Sequence, residues 1–420
     1  MTVIDAGVRV TFEPSGRRVL THPEAETITR ATLVQRARDM VPVLRQRARA
    51  TEEARHLLPE TVADFTRAGF FRIVSPRRYG GFELGIDTLE EVALEVGRGC
   101  GSSAWCLAIL GGHGWWSALF NEEGQKAIFG EDGHVIMATN LSGNGRARRV
   151  EGGFELSGRF TYLSGCDVAN WLCVGAAVEG EVGAPLTWYY MAVRPDQAQI
   201  VDEWDVLGMR GTGSKVVNIE RAFVPLHLVL EQRLVQTQDQ PGMHLHPGPL
   251  YRAPMMAFLY IETTGAAVGV ALGAVDALDE IARSKHVRMR GRDAAAAGPM
   301  LQMEVPSIRR HLAEAKSLAE TAKLLLLSEA ERLMQTVEAD ASTGRKMERE
   351  EIMEYGLKNA RVVDLCVQAV DHCFIAGGTS STVTGNPLER CFRDIHMIST
   401  HRALQIDLAT ENWGLAHFGL

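Results

Sequence analysis

From about Thr27 to Leu58, apolar residues recur at helical spacing, with Leu33, Ala37, Met40, Val41 and Leu44 on one stripe. Pro42 lies inside that run and predicts a kink or a split, because proline removes a backbone donor and crowds the preceding turn. Pro59 opens a second short helix, where a missing N–H costs little, and Gly69 closes it. Arg77-Arg78-Tyr79-Gly80-Gly81 reads as a turn, and Thr88 to Val96 and Ser102 to Ile109 as two further helices. The period changes near Gly133. His134 to Thr139, Phe154 to Leu163, Trp171 to Val178, Leu186 to Val193 and Lys215 to Val224 are short runs rich in β-branched and aromatic residues, separated by Gly, Asp and Asn. That pattern predicts an antiparallel sandwich or barrel, with Glu151-Gly152-Gly153 as a hairpin turn.

Gln236 to Pro249 is a polar linker containing prolines and glycines, and the chain beyond it is helical to its end. Gly265, Gly269 and Gly273 recur at every fourth position on one helix face, a spacing that permits dense helix–helix packing. Ser307 to Glu338 and Glu350 to Ile375 carry leucine and alanine at helical spacing over long spans and predict a bundle. The fold class is therefore α+β. It comprises an N-terminal arm (1–26, irregular or a short hairpin), a helical domain (27–130), a β domain (131–235) and a C-terminal four-helix-bundle domain (250–420).

Composition narrows the partners. The 420 residues are 46% hydrophobic and 23% charged with a formal net charge of -8, an ordinary globular balance without a basic stripe, so nucleic acid is not an expected partner. The seven cysteines form no CxxC pair, which argues against a disulfide framework or a zinc site and fits a reducing cytoplasm. No metal site is expected. The N-terminal residues do not read as a signal peptide, and Gly265 to Leu278 is too short and interrupted to read as a membrane span, so no membrane is expected either.

Several stretches carry a resemblance. Trp204-Asp205-Val206-Leu207-Gly208-Met209-Arg210-Gly211-Thr212, Phe160-Thr161-Tyr162-Leu163-Ser164-Gly165, and Gly377-Gly378 followed by Asn386-Pro387-Leu388-Glu389-Arg390 and Arg393-Asp394 occur in order along the chain. Together with the order of domains, they resemble the acyl-CoA dehydrogenase superfamily over nearly the whole sequence. Gly111-Gly112-His113-Gly114-Trp115-Trp116, Arg393-Asp394-Ile395-His396 and Ser164-Gly165-Cys166-Asp167 are more similar to one branch. These are the two-component, reduced-flavin-dependent (group D) monooxygenases, such as the hydroxyphenylacetate and steroid-phenol hydroxylase oxygenase components. Val168 stands where those two hydroxylases carry a histidine, a departure that loosens the link to any one substrate.

The resemblance implies reduced FMN or FAD and O2 as cosubstrates, a flavin C4a-hydroperoxide as the oxygen donor, and a small aromatic substrate, in particular a phenol. No GxGxxG follows a strand, so no nicotinamide site is expected, and a separate NAD(P)H:flavin reductase must supply the reduced flavin. A homotetramer is also implied. His113 would face the phenol, since a histidine of near-neutral pKa suits transfer of its proton. His396 would sit at the reactive edge, and Ser164 would hydrogen-bond the flavin ring. Thr139 lies where related hydroxylases carry a serine beside the substrate, with Asn140 and Ser142 close by. Tyr162, Ser164, Trp204, Thr212, Gly377, Gly378, Ser380 and Arg393 fall in flavin-facing stretches, and Arg288 and Arg290 would bind the flavin phosphate.

Read without the resemblance, the same residues have plainer roles. Ser164 is a turn serine, and His113 is a loop or N-cap histidine. Trp115, the candidate substrate platform, is core, as aromatics bury large area wherever they fall. Arg288, Arg290 and Arg292 form a solvated helix end. His401, five residues beyond His396, reads as structural. Two other functions remain open at this point. One is a dehydrogenase of an acyl thioester with Glu262 or Glu411 as base; the other is a non-catalytic scaffold.

Overall fold

The first long helix, α1 (Arg30–Ala54), begins where the Thr29 side chain accepts a hydrogen bond from the Thr32 N–H, and ends at Arg55 in the left-handed region. It runs through Pro42 as one helix. Burial of Leu33, Val34, Ala37, Leu44 and Ala48 along one face outweighs the single backbone bond that proline removes. The computed structural model describes residues 9–12, 18–178, 186–288 and 299–420. In the N-terminal arm, β1 (Arg9–Phe12) and β2 (Arg18–Thr21) pair antiparallel.

α2 (Pro59–Ala68) ends at Gly69, whose φ of 80° is open to glycine without strain. α3 (Ile86–Gly97), α4 (Gly101–Ser117) and α5 (Glu122–Phe129) complete the helical region. Two features differ from the sequence reading. α5 is an additional helix, capped by the Asn121 side chain on Gly124 N. α4 does not stop at Ile109 but continues through Gly111, Gly112 and Gly114 to Ser117. Glycine inside a helix costs about 1 kcal/mol relative to alanine, and here it is used for closeness. A Cβ on Gly112 would lie 2.0 Å from Glu262 Oε1, and one on Gly114 2.1 Å from Ser75 Oγ.

The β region is one seven-stranded sheet. Its strands in chain order are β3 (Met137–Val150), β4 (Gly153–Leu163), β5 (Trp171–Val178), β6 (Thr187–Val193), β7 (Gln199–Val201), β8 (Lys215–Pro225) and β9 (Val229–Glu231). Across the sheet the order is β7-β8-β4-β3-β5-β6-β9. The expected all-antiparallel arrangement holds except between β3 and β5, which run parallel. After β4 the chain hops across the end of β3 and pairs on its far side, so β5 points the same way as β3. Alternation of apolar residues carries no information on strand direction. Leu141 to Arg146, expected as a loop, lies inside β3, where the register shifts between Asn140 and Gly145. Thr139 and Asn140 still pair with Cys173 and Val174, and the bulge follows directly after them.

Beyond the sheet come α6 (Gln232–Gln236), α7 (Met255–Glu262), α8 (Thr264–Ser284), a small strand pair β10 (His286–Val287) and β11 (Met300–Leu301), then α9 (Pro306–Thr343), α10 (Arg349–Gly377), α11 (Pro387–Ser399) and α12 (Ile406–His417). Met255–Ser284 is long and apolar enough by composition to cross a membrane, yet 83% of that window is buried inside the protein, where it forms the centre of the bundle. The glycine stripe of α8 packs on α3. A Cβ on Gly269 would lie 2.4 Å from Leu94 O and 2.6 Å from Gly97 Cα, both backbone atoms that cannot swing aside. Gly269→Ala is therefore expected to destabilise the protein by about 1–3 kcal/mol despite its better helix propensity. Urea unfolding would read this, and an unchanged midpoint would mean that α3 and α8 can part freely.

Candidate active site

Between α4, the sheet and the bundle lies a cavity of about 980 Å³. Much of what the sequence nominated meets there: His113, Thr139, Asn140, Ser142, Tyr162, Ser164, Trp204 and Thr212 all line it. They come from α4, β3, the end of β4 and the segment before β8, which is why no single stretch of sequence reads as a site.

One wall is a chain of hydroxyls. Ser164, just past β4, accepts a hydrogen bond from Trp105 Nε1 at 3.1 Å and shares one with Ser214 Oγ at 2.8 Å. Ser214 in turn shares one with Thr212 Oγ1 at 2.6 Å, and Thr212 donates to Met209 O at 3.0 Å. The neighbouring Tyr162 is held at a φ of 61°, 67% exposed, edge-on to Trp204 at 6.0 Å. A non-glycine residue in this region is strained, and such strain concentrates at working sites. Trp204 is fixed by its own Nε1 donating to Arg210 O at 3.0 Å.

His113 lines the cavity from α4, about two turns beyond Trp105. Its ring is buried, and Nδ1 lies 2.6 Å from Met137 O. A carbonyl only accepts, so that bond assigns the proton to Nδ1 and leaves a lone pair on Nε2. Burial pulls the pKa of His113 down to about 4, only partly offset by the Met137 carbonyl, so the ring is neutral at physiological pH. Glu262 Oε2 lies 3.8 Å from Nε2. Asn140 donates from Nδ2 to Thr161 O at 2.6 Å and accepts from Ser142 Oγ at 2.6 Å, which pins the β3 bulge against β4.

Other nominated residues lie elsewhere. Trp115 does not reach the cavity. It stacks on Phe258 at 4.1 Å, donates to Leu250 O at 2.9 Å and is core, because two residues along a helix from His113 is the opposite face. His396 does not reach it either. It faces Asp371 at 3.1 Å and packs on Phe392, while Met397 and Ile398 of the same helix line the cavity. The cavity histidine of this segment is His401. Beyond the end of α11, its ring meets Trp105 edge-on at 5.3 Å, and the surrounding walls lower its pKa by desolvation although the ring is open to the cavity space.

Arg393 is a structural clamp, held by Glu389, by Glu52 at 2.8 Å and by Leu207 O at 2.9 Å. Beside it, Asp394 Oδ1 accepts from Met209 N at 2.6 Å, and a Cβ on Gly208 would lie 2.1 Å from Arg393 O. The two most family-like motifs therefore dock on each other, and that docking holds Trp204 and Thr212 in the wall. Arg288 is exposed and, with Gly377, Gly378 and Ser380, does not line the cavity of its own chain. The Ser380 hydroxyl instead accepts from Lys285 Nζ at 2.7 Å. Arg290 lies outside the described residues.

Residues that sequence reasoning passed over complete the cavity: Trp105, Ile109, Ser214, His401, and the apolar Met255, Met256, Leu259 and Met353. Trp105, Ile109 and His113 are four residues apart on α4 and share its inner face, a signal available once the helix is carried past its glycines. The volume suits a flavin with a small aromatic beside it, being at the upper end of the usual ligand range of roughly 300–1,000 Å³. The hydroxyl wall supplies the donors and acceptors that a planar heteroaromatic ring needs, so the residues present fit that group.

Glu262 makes a separate prediction. Burial raises its pKa well above the ordinary 4.5. A raised folded-state pKa gives stability that is present below the unfolded value and lost as pH rises through the folded one. Glu262→Gln is therefore expected to melt higher than wild type at pH 8, with the gain vanishing near pH 4. A wild-type-like melting temperature at both values would contradict a protonated Glu262.

Comparison with known proteins agrees with this geometry. The family described as acyl-CoA dehydrogenase, C-terminal domain, matches residues 262–406. The oxygenase subunit HsaA of a flavin-dependent monooxygenase from Rhodococcus jostii (strain RHA1) is 29% identical over 390 residues, covering 92% of this chain and 98% of that protein. An FADH2-dependent resorcinol hydroxylase, oxygenase component, from Rhizobium sp. (strain MTP-10005) is 28% identical over 399 residues, covering 94% and 96%. The crystal structure of 3-HSA hydroxylase from Rhodococcus sp. RHA1 superposes with a TM-score of 0.82 at 27% identity, covering 94% of this chain and 98% of that one. Residues 262–406 thus match an acyl-CoA dehydrogenase C-terminal domain, and from the helical region through the sheet to the bundle this chain is similar in sequence and fold to the oxygenase components of flavin-dependent monooxygenases.

Proposed function

We propose that this protein is the oxygenase component of a two-component monooxygenase. It takes reduced FMN or FAD from a separate NAD(P)H:flavin reductase, uses O2, and hydroxylates a small aromatic substrate, in particular a phenol. The observation that carries this reading is that one cavity holds both the Ser164–Ser214–Thr212 hydroxyl chain and a neutral His113 with a free Nε2. The relatives named as flavin-dependent hydroxylase oxygenase components support it.

Ser164, Thr212, Ser214, Trp105, Trp204 and Tyr162 would hold the flavin, which in its reduced form supplies the electrons and the place where oxygen is activated. Ser164 is poised to accept a ring N–H, because its own hydrogen runs down the hydroxyl chain to Ser214 and one of its two lone pairs remains beside the one that Trp105 fills. His113 Nε2 accepts the hydrogen of a phenolic hydroxyl, orienting the ring and enriching it in electron density. The methionine and leucine side chains keep water from the reacting centre.

The dehydrogenase alternative is weakened by its own candidates. Glu262 is held as the acid, which is the wrong state for a base, and Glu411 is exposed on α12 and does not line the cavity. We read the protein as a cytoplasmic homotetramer. The free cysteines fit the compartment, and the outward Leu324, Ile375 and Val383 of the bundle region fit the assembly. Incubation with NADH, a flavin reductase, isotopically labelled O2 and a panel of phenols tests the function. Product carrying one labelled oxygen supports it, while hydrogen peroxide alone with every phenol overturns it.

A further inference from the structure

Glu262 ends α7 at the cavity wall, and among the described residues no Lys or Arg pairs with it. Its side chain is 3% exposed, with Oε2 3.8 Å from His113 Nε2, and Oε1 is buried without a donor. An ionised carboxylate so placed would be uncompensated, so burial holds it as the acid. A second buried acid lies behind it. Glu90 is also pushed up, by burial first and by Glu262 as well, although it accepts from Gly265 N at 2.6 Å. The space for the Glu262 carboxyl exists only because position 112 is glycine. The sequence thus gives up helix propensity on α4 to seat a carboxyl with Oε1 against Gly112 and Oε2 toward His113, and no hydrogen bond among the described residues reaches it, which points to a ligand as the partner of Oε2.

Across from it His113 offers a lone pair, since its proton is committed to Met137 O. A donor and an acceptor therefore face one gap. An oxygen lying about 2.8 Å from both Glu262 Oε2 and His113 Nε2 would satisfy the two together. A phenolic hydroxyl matches this pattern, because it gives one hydrogen and accepts another. An aryl ether has no hydrogen to give. An anion beside the hydroxyl would meet no positive charge: among the described lining residues the Lys and Arg set is Arg402, exposed between α11 and α12. Apolar Met255, Met256, Leu259 and Met353 line the cavity too, with the neutral polar Tyr190, Gln232, Tyr260 and Thr263.

We propose that Glu262 is a specificity-determining residue that, with His113, clamps the hydroxyl of a neutral phenol and discriminates against its ethers and against phenols with an anionic group beside the hydroxyl. This rests on the monooxygenase reading. Glu262 donates to the substrate oxygen, and His113 accepts from it.

The test is anaerobic equilibrium dialysis of the protein loaded with reduced flavin, using 4-propylphenol, 4-propylanisole and 5-propylsalicylate. Wild type is expected to bind the phenol roughly tenfold more tightly than either analogue. Glu262→Gln keeps a donor and retains the preference. Glu262→Leu loses it, and so does Gly112→Ala, whose Cβ would displace the carboxyl from α4. Wild type binding all three alike, or Glu262→Leu and Gly112→Ala discriminating as wild type does, overturns the clamp. Turnover is scored separately. Phenol binding with the expected preference but no hydroxylated product overturns the monooxygenase reading and leaves the clamp standing.

Discussion

His113→Ala is expected to lower hydroxylation of a phenol by about 100- to 1,000-fold while reduced flavin and oxygen are still consumed. The separation follows from the architecture. His113 lines the same cavity from α4 but takes no part in the Ser164–Ser214–Thr212 hydroxyl chain. Removing the imidazole takes away the acceptor for the substrate hydroxyl but leaves Trp105 and Ser164 in place. Product and hydrogen peroxide measured together read this, with peroxide rising as product falls. The pH dependence is also fixed in sign. Because burial holds His113 at about 4, the ring stays neutral as pH rises from 5 to 8, and its part in turnover should not titrate in that window. A loss of activity centred near pH 6.5 that vanished in His113→Gln would contradict a buried neutral ring.

Ser164→Ala is expected to act on the other partner. It removes one hydrogen-bonding group from the flavin wall, worth about 1–1.5 kcal/mol, and leaves Trp105 Nε1 without its acceptor. The ratio of hydrogen peroxide to hydroxylated product should rise roughly tenfold. Phenol binding should change little, since Glu262 and His113 are untouched. A Ser164→Ala protein with unchanged peroxide yield and weakened phenol binding would place Ser164 on the substrate instead. The double variant with His113→Ala should show nearly additive losses, as the two walls share no partner.

How much of this was legible depends on what each residue's signal encodes. Ser164, Trp204 and Thr212 could be read because they fall in motifs whose docking fixes the β wall. Arg393 sits in an equally good motif, yet its guanidinium is spent on Glu389, Glu52 and Leu207 O. A motif marks a packed junction, and which of its side chains turns inward is decided by neighbours far away in sequence. His396 and His401 show the same limit. His401 lies past the end of the helix that carries His396, and only the position of α10, with Asp371, says which of the two turns inward. Trp105 and Ile109 were legible in principle, hidden because the glycines of α4 read as a helix end when they are points of close approach. The parallel β3–β5 pair was not legible, since alternation is blind to direction. Glu262 carried a signal that was only half used. The resemblance offered it as a base, and burial at the end of α7 raises its pKa well above the ordinary carboxyl value.

The most direct test of the central claim is a single turnover without reductase. The protein is titrated anaerobically with reduced and oxidised FMN and FAD, then mixed with oxygen and 4-propylphenol, and the product is quantified against the flavin consumed. Tighter binding of the reduced form and a near-stoichiometric yield of hydroxylated phenol are predicted. Reoxidation that gives only hydrogen peroxide, or oxidised flavin on the protein bleached by an acyl thioester, would contradict the account and return the chain to dehydrogenase chemistry.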